Sequence, residues 1–215
     1  MFGAITAIQW KWSRGPALLA TLIGFLIPVL SLQSARRALL TADEFVYIMQ
    51  QFSIGYSMLA AGAGLVVALA AWAHYHRGRH VYALSLPVAR WRYALMRFGA
   101  GALFLLAPTA GVLAGSLVVA AMGAVPSGLH VYPVALTLRF AFASGVAYAI
   151  FFAISASTAK TAGVILGIIG AFLLAQTTLA MLAVRYDLLS SVSTLIFSPP
   201  GILSVFAGRW MLIDV

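Results

Sequence analysis

The sequence predicts an all-α, polytopic membrane helix bundle of six hydrophobic segments with an N-terminal interfacial helix. Three observations lead there: composition, the length of the charge-free runs, and where the charges fall. Of 215 residues, 63% are hydrophobic and 8% charged, whereas a soluble domain is about 25% charged. A mean hydropathy of +1.04 carries the same meaning. A helix crossing the roughly 30 Å hydrocarbon core needs about 20 mainly apolar residues. Residues 1–215 therefore read as a single transmembrane domain with room for about five or six crossings and none for a soluble catalytic domain. Thirteen Lys and Arg against four Asp and Glu give a net charge of +9. In a soluble protein this would suggest nucleic acid, but here the charges lie mostly between apolar runs, so the partner they imply is a lipid bilayer obeying the positive-inside rule. The absence of cysteine excludes disulfides and thiolate-held metals.

A charge at mid-bilayer is costly, so charge-free runs locate the spans. The first run extends from Gly15 to Ala35. Before it, Phe2, Ile5, Ile8 and Trp12 recur at helical spacing with Lys11 and Arg14 on another side, which predicts an interfacial helix leading into the crossing. Thr41-x-x-Glu44 is a capping box, so the next helix should start at Ala42. Continued to Ala73 it would be about 48 Å long at 1.5 Å per residue, and a bend is expected at Gly55. The third run, Phe98 to Leu138, is too long for one crossing and contains a turn at Met122-Gly123-Ala124-Val125-Pro126-Ser127-Gly128. The fourth and fifth extend from Phe140 to Ala159 and from Thr161 to Val184. The sixth, Leu188 to Gly208, is interrupted by Ser198-Pro199-Pro200-Gly201. Two adjacent prolines remove two helix donors and clash with the preceding turn, which predicts two half-helices forming a re-entrant hairpin. Gly111-x-x-x-Gly115 and Gly163-x-x-x-Gly167, followed by Gly170, allow close helix packing within one subunit.

Charge counting orients the chain. With the N-terminus cytoplasmic, Lys11, Arg14, Arg77, Arg79, Arg90, Arg92, Arg97, Lys160 and Arg209 lie inside, nine, against four outside: Arg36, Arg37, Arg139 and Arg185. If the sixth segment is a hairpin, Arg209 moves outside and the tally becomes eight to five. All five tryptophans, Trp10, Trp12, Trp72, Trp91 and Trp210, fall at the inner edge when the sixth segment crosses.

The inner connection from His74 to Arg97 holds five arginines and three histidines and no acid. Pro87 suits a first helical residue, and from there Val88, Trp91, Leu95 and Phe98 form one stripe while Arg90 and Arg97 point the other way. On composition alone this is a basic loop lying on anionic lipid. No carboxylate or thiol accompanies His74, His76 and His80, so they predict solvated histidines and no metal site.

The stretch Tyr82-Ala83-Leu84-Ser85-Leu86-Pro87-Val88-Ala89-Arg90-Trp91-Arg92-Tyr93 resembles the coupling-helix region of permease subunits of type-2 ATP-binding-cassette exporters. The family's Leu-x-x-Pro-(Val/Ile)-x-Arg pattern is matched by Leu84, Pro87, Val88 and Arg90. The interfacial N-terminus, the six-span plan and the proline-bearing stretch at Ser198-Pro199-Pro200 are also similar. Two features depart from the family: Arg77-Gly78-Arg79-His80 lacks the acid of its usual Glu-Arg pair, and the chain ends soon after Pro200, where a further full helix is usual. The resemblance implies a multi-pass protein of a cell membrane, such as a bacterial inner membrane, in which Leu84, Pro87, Val88, Arg90, Trp91, Arg92 and Arg97 couple to a cytoplasmic ATPase subunit. That subunit would hold ATP and Mg, while this chain holds no cofactor. A second permease copy or a homologous permease would complete the path.

Without the family, enzyme templates fail: there is no phosphate-cradling glycine loop, and Ala159-Lys160-Thr161 lacks one. The four acids, Asp43, Glu44, Asp187 and Asp214, sit at segment ends, leaving no buried carboxylate for a proton relay. No catalytic residue is therefore assigned. Ser144 and Tyr148 in the fourth segment, with Gln176, Thr177 and Thr178 in the fifth, are the candidate substrate path. Two other classes stay open: a non-transporting ATPase-linked assembly or sensor subunit, and a small membrane enzyme using His130, Tyr132, Arg139 and Asp187.

Overall fold

A computed structural model describes residues 2–37, 42–77, 89–122 and 128–156, and from the remainder 161, 164, 167, 168, 171, 194–198, 201, 203–207, 210 and 212–214. The elements are α1 (Phe2–Arg37), α2 (Ala42–Gln51), α3 (Ser53–Arg77), α4 (Arg90–Phe104), α5 (Leu106–Ala121), β1 (His130–Val131), α6 (Pro133–Ala156) and β2 (Ile213–Asp214), with a 3-10 turn at Ser204–Phe206. Among the described residues four helical stretches are long and apolar enough to cross a membrane: Phe2–Ala35, Glu44–Trp72, Trp91–Ala121 and Pro133–Ala156. Most of the fifth apolar run and much of the sixth lie outside the described residues.

The chain forms two compact units, Met1–Phe152 with Arg209–Val215, and Ala153–Gly208. In the first, α1 and the α4–α5 pair run parallel. Thr21 of α1 packs beside Gly111 and Phe25 beside Gly115, so close that a Cβ on either glycine would strike the carbonyl oxygen of its α1 neighbour. Gly24 repays the contact: a Cβ there would lie 3.0 Å from Val112 and 3.2 Å from the Pro108 carbonyl. The expected packing role of Gly111 and Gly115 thus falls within one chain. The α3 and α6 helices run the other way and meet at Gly64, where a Cβ would stand 2.6 Å from the Tyr148 amide nitrogen.

Helix boundaries differ from the charge-based expectation in four places. α1 is one helix of 36 residues with no separate interfacial piece. Its buried side continues through Ile5, Gln9, Ser13, Ala17 and Gly24, so packing against α4 and α5 carries the helix across Gly15 and Pro16, while Phe2, Ile8 and Trp12 are exposed. The second segment begins at Ala42 as the capping box predicts, but it breaks at Phe52, not at Gly55, whose amide donates to the Phe52 carbonyl at 3.0 Å. The amphipathic helix expected from Pro87 is not a separate element in its described part, since α4 runs from Arg90 straight into the span. It pauses at Leu105 because Pro108 has no N–H for the Phe104 carbonyl. Finally, α6 starts at Pro133, a favoured first position, and Arg139 lies inside the helix and not at its end.

In the second unit, residues 161, 164, 167, 168 and 171 are helical, with Val164 and Ile168 exposed. Residues 194–197 form a helical turn that ends at Ser198. The chain then doubles back: Gly201 donates to Ser198 at 2.6 Å, Leu203 to Ile196 at 3.2 Å and Ser204 to Gly201 at 3.0 Å. Gly201 is required here, since a Cβ would collide with the Ile196 carbonyl. The interruption predicted at Ser198-Pro199-Pro200-Gly201 is present, with a three-residue 3-10 turn where a second half-helix was expected.

Candidate functional site

The chemistry of the first unit gathers at the two ends of its helices. At the end where α1 and α4 begin and α3 stops, Arg97 is 2% exposed. Its guanidinium lies 4.7 Å from the centre of the Trp72 ring, on α3, and 5.4 Å from that of Tyr93, one turn earlier on its own helix. Buried Gln9 of α1 donates its Nε2 to the Arg97 carbonyl at 3.3 Å. Below this layer, Phe98 stacks on Tyr148 at 4.9 Å and meets Phe152 edge-on at 5.3 Å, and the Tyr148 hydroxyl donates to the Phe98 carbonyl at 3.0 Å. A cation inside an apolar layer is stable only where its charge meets ring faces or hydrogen bonds, and two rings supply the faces here.

The outward side of the same end carries Trp91, 62% exposed, and Leu95, 59% exposed, with Arg92 lying 5.2 Å over the Trp91 ring. Trp10 and Trp12 are exposed on α1. The expected stripe is split: Trp91 and Leu95 look outward while Phe98 packs inward, and Arg97, expected on the polar face, turns in. Burial of Arg97 follows the Trp72 ring on α3 and Gln9 on α1, which the periodicity of one helix does not contain.

At the opposite end, β1 and β2 pair antiparallel, His130 with Asp214 and Val131 with Ile213. The Tyr132 amide donates to the Leu212 carbonyl at 2.8 Å. Half-buried Arg139 lies 4.8 Å over the ring of Trp210, which is 1% exposed. Trp210 thus sits at the end that carries the α5–α6 connection, not beside Trp10, Trp12 and Trp91, and Trp72 is a buried ring and not an interfacial anchor.

The remaining candidates separate as follows. Leu84, Pro87 and Val88 lie outside the described residues, as do Gln176, Thr177, Thr178, Gly163 and Gly170; Arg90 opens α4. Gly167 is helical, with nothing within 4 Å of a Cβ placed on it among the described residues. Ser144 is fully buried and donates back to the Ala141 carbonyl at 3.1 Å. Ser144 and Tyr148 pack against α3 and α4, and neither borders the apolar cavity of about 210 Å³ between α1 and α3, which Ala17, Ile23, Met58 and Val67 help to line. Gln9, Trp72, Tyr93 and Gly64 were missed from the sequence. The one available signal was that Tyr93 and Arg97 stand four apart on a helix. No family model matches the chain, and no curated protein or solved structure matches it.

Proposed function

We propose that the chain is the membrane-spanning permease subunit of an ATP-binding-cassette exporter, moving its substrate outward with ATP hydrolysed by a separate cytoplasmic subunit. A second permease copy or a homologous permease completes the path. The observation that carries this reading is the end of the first unit where α4 begins: it is basic, its described part holds no acid, and α4 passes without interruption from Arg90 to the buried Arg97 layer. A rigid helix of that kind conveys a push applied at residues 82–92 to Trp72, Tyr148 and Gln9. The motif at Leu84, Pro87, Val88 and Arg90 supplies the contact to be pushed, with Trp91 and Arg92 beside it. In this reading the N-terminus is cytoplasmic. The pairing of β1 with β2 favours the re-entrant form of the sixth segment, which returns Arg209 and Trp210 to the outer side.

The test is co-purification with the ATPase followed by vesicle flux. Arg90→Glu should weaken ATPase capture and abolish substrate-stimulated hydrolysis while leaving membrane insertion intact, and Arg36→Glu should do neither. A double variant Arg90→Glu, Trp91→Ala that kept full capture and flux would overturn the reading. The second reading, an ATPase-linked subunit that does not carry a substrate across, draws on one observation: Ser144 and Tyr148 are spent on packing within the chain. ATPase capture without flux would select it.

A further inference from the structure

We propose that the groove between α4 and α6 binds an anionic phospholipid of the leaflet on the side where α1 begins, with Arg92 holding the phosphate and an acyl chain lying along Ala94, Phe98 and Phe152. The inference requires a membrane-embedded bundle and concerns the chain without its ATPase partner, whose proposed contact lies beside the same Trp91 and Arg92.

The groove has a volume of about 470 Å³ and is lined by Trp91, Ala94, Leu95 and Phe98 of α4 and by Phe152 of α6. Its polarity changes in one direction only. Trp91 and Arg92 stand in the first turn of α4, and Phe98 lies about 10 Å deeper at 1.5 Å per residue. A basic and aromatic rim above an apolar trough has the layout of a phospholipid, with headgroup above and chain below. Arg92 is exposed and its guanidinium lies over the ring of Trp91, 5.2 Å away; because Trp91 lines the trough, the fork of donors stands beside its rim. A planar guanidinium matches a phosphate with two parallel hydrogen bonds.

Charge selects the occupant. The described acids, Asp43, Glu44 and Asp214, all belong to elements at the opposite end. Nothing described at this rim therefore neutralises Arg92 before a ligand does. A second copy of this chain would bring the same basic rim against it and be repelled. A soluble partner reaches the rim but not Phe98 and Phe152, which lie below it. An anionic headgroup satisfies both parts, and juxtamembrane basic residues each favour anionic over neutral lipid by about fivefold in affinity.

Native mass spectrometry of the full chain in detergent, offered phosphatidylglycerol and phosphatidylcholine with identical acyl chains, tests this. Wild type should retain phosphatidylglycerol over phosphatidylcholine by about fivefold or more. Arg92→Gln should erase the preference and Arg92→Lys largely keep it. Ala94→Phe, which fills the trough, should lower retention of both lipids, whereas Leu117→Phe on the exposed face of α5 should not. Monodisperse elution and unchanged helical circular dichroism restrict the comparison to folded protein. Equal retention of the two lipids by wild type, a preference that survives Arg92→Gln, or an Ala94→Phe variant that behaves like Leu117→Phe would each overturn the proposal. Because the chain is tested alone, failure here leaves the ATPase reading standing, and failed ATPase capture leaves this one standing.

Discussion

Arg97 and Arg139 each lie about two turns into an apolar helix, at opposite ends of the same unit, and each faces tryptophan. The difference is where the ring comes from. Arg97 takes one ring from its own helix, Tyr93, and one from the helix before it, Trp72, and becomes fully buried. Arg139 faces the ring of Trp210, near the far end of the chain, and stays half-buried. The first cage closes as soon as α3 and α4 pack. The second needs the C-terminal residues to return, and the short β1–β2 ladder with the Tyr132–Leu212 hydrogen bond holds them there. One end is therefore a built-in part of the bundle, and the other is a clasp fastened across it.

The largest effect that could break this comparison is all-or-none. Single cysteines introduced into this cysteine-free chain should be labelled from opposite faces of the membrane at Arg79→Cys and Asp43→Cys, and Val215→Cys should share the face of Asp43→Cys. Labelling of Val215→Cys together with Arg79→Cys would separate the clasp from the end assigned to it.

Next in size, Trp72→Ala should cost about 3–5 kcal/mol, as buried aromatic truncations do, and it should strand the Arg97 charge as well. Trp210→Ala should cost less, because Arg139 retains access to water. Unfolding in mixed micelles measures both. A larger loss at Trp210 would reverse the order of the two ends.

A double-mutant cycle isolates the cation–ring contribution itself. Coupling between Arg97 and Trp72 should be about 2 kcal/mol, the value for a desolvated pair, and that between Arg139 and Trp210 about 0.5–1 kcal/mol. Equal couplings would mean that burial of the cation does not set the difference.

The smallest effect concerns the ladder. Asp214→Pro removes the β2 donor that faces His130 and should cost about 1 kcal/mol. It should speed hydrogen exchange at His130 and Tyr132 while leaving the amides around Arg97 protected. Faster exchange at both ends would show that they are coupled rather than independent.

The elements carrying a local signal were readable in the residues. The capping box at Thr41 and Glu44 marks the start of α2, Gly111 and Gly115 mark the α1 seam, and Ser198-Pro199-Pro200-Gly201 marks a reversal, because a missing donor, a missing Cβ or a side-chain cap acts within a few residues of itself. Charge was a weaker guide: Arg139 was taken for a boundary, and the helix runs through it because Trp210 covers the guanidinium. The inward turn of Arg97 was invisible for the same reason. Its stripe on α4 is defined by one helix, and its burial also by the Trp72 ring on α3 and Gln9 on α1.

By itself the sequence determined that this is a helical protein with helices long and apolar enough to cross a membrane and a basic, acid-free connection ahead of α4, since transfer energies and charge placement depend on composition and local order. Only the tertiary structure decided which arginines leave water, where the C-terminal tryptophan lies, and that Ser144 and Tyr148 hydrogen-bond to the carbonyls of Ala141 and Phe98. Those outcomes depend on which faces meet, and the meeting of distant segments is settled by the mutual fit of glycines and aromatic rings that lie far apart in the chain.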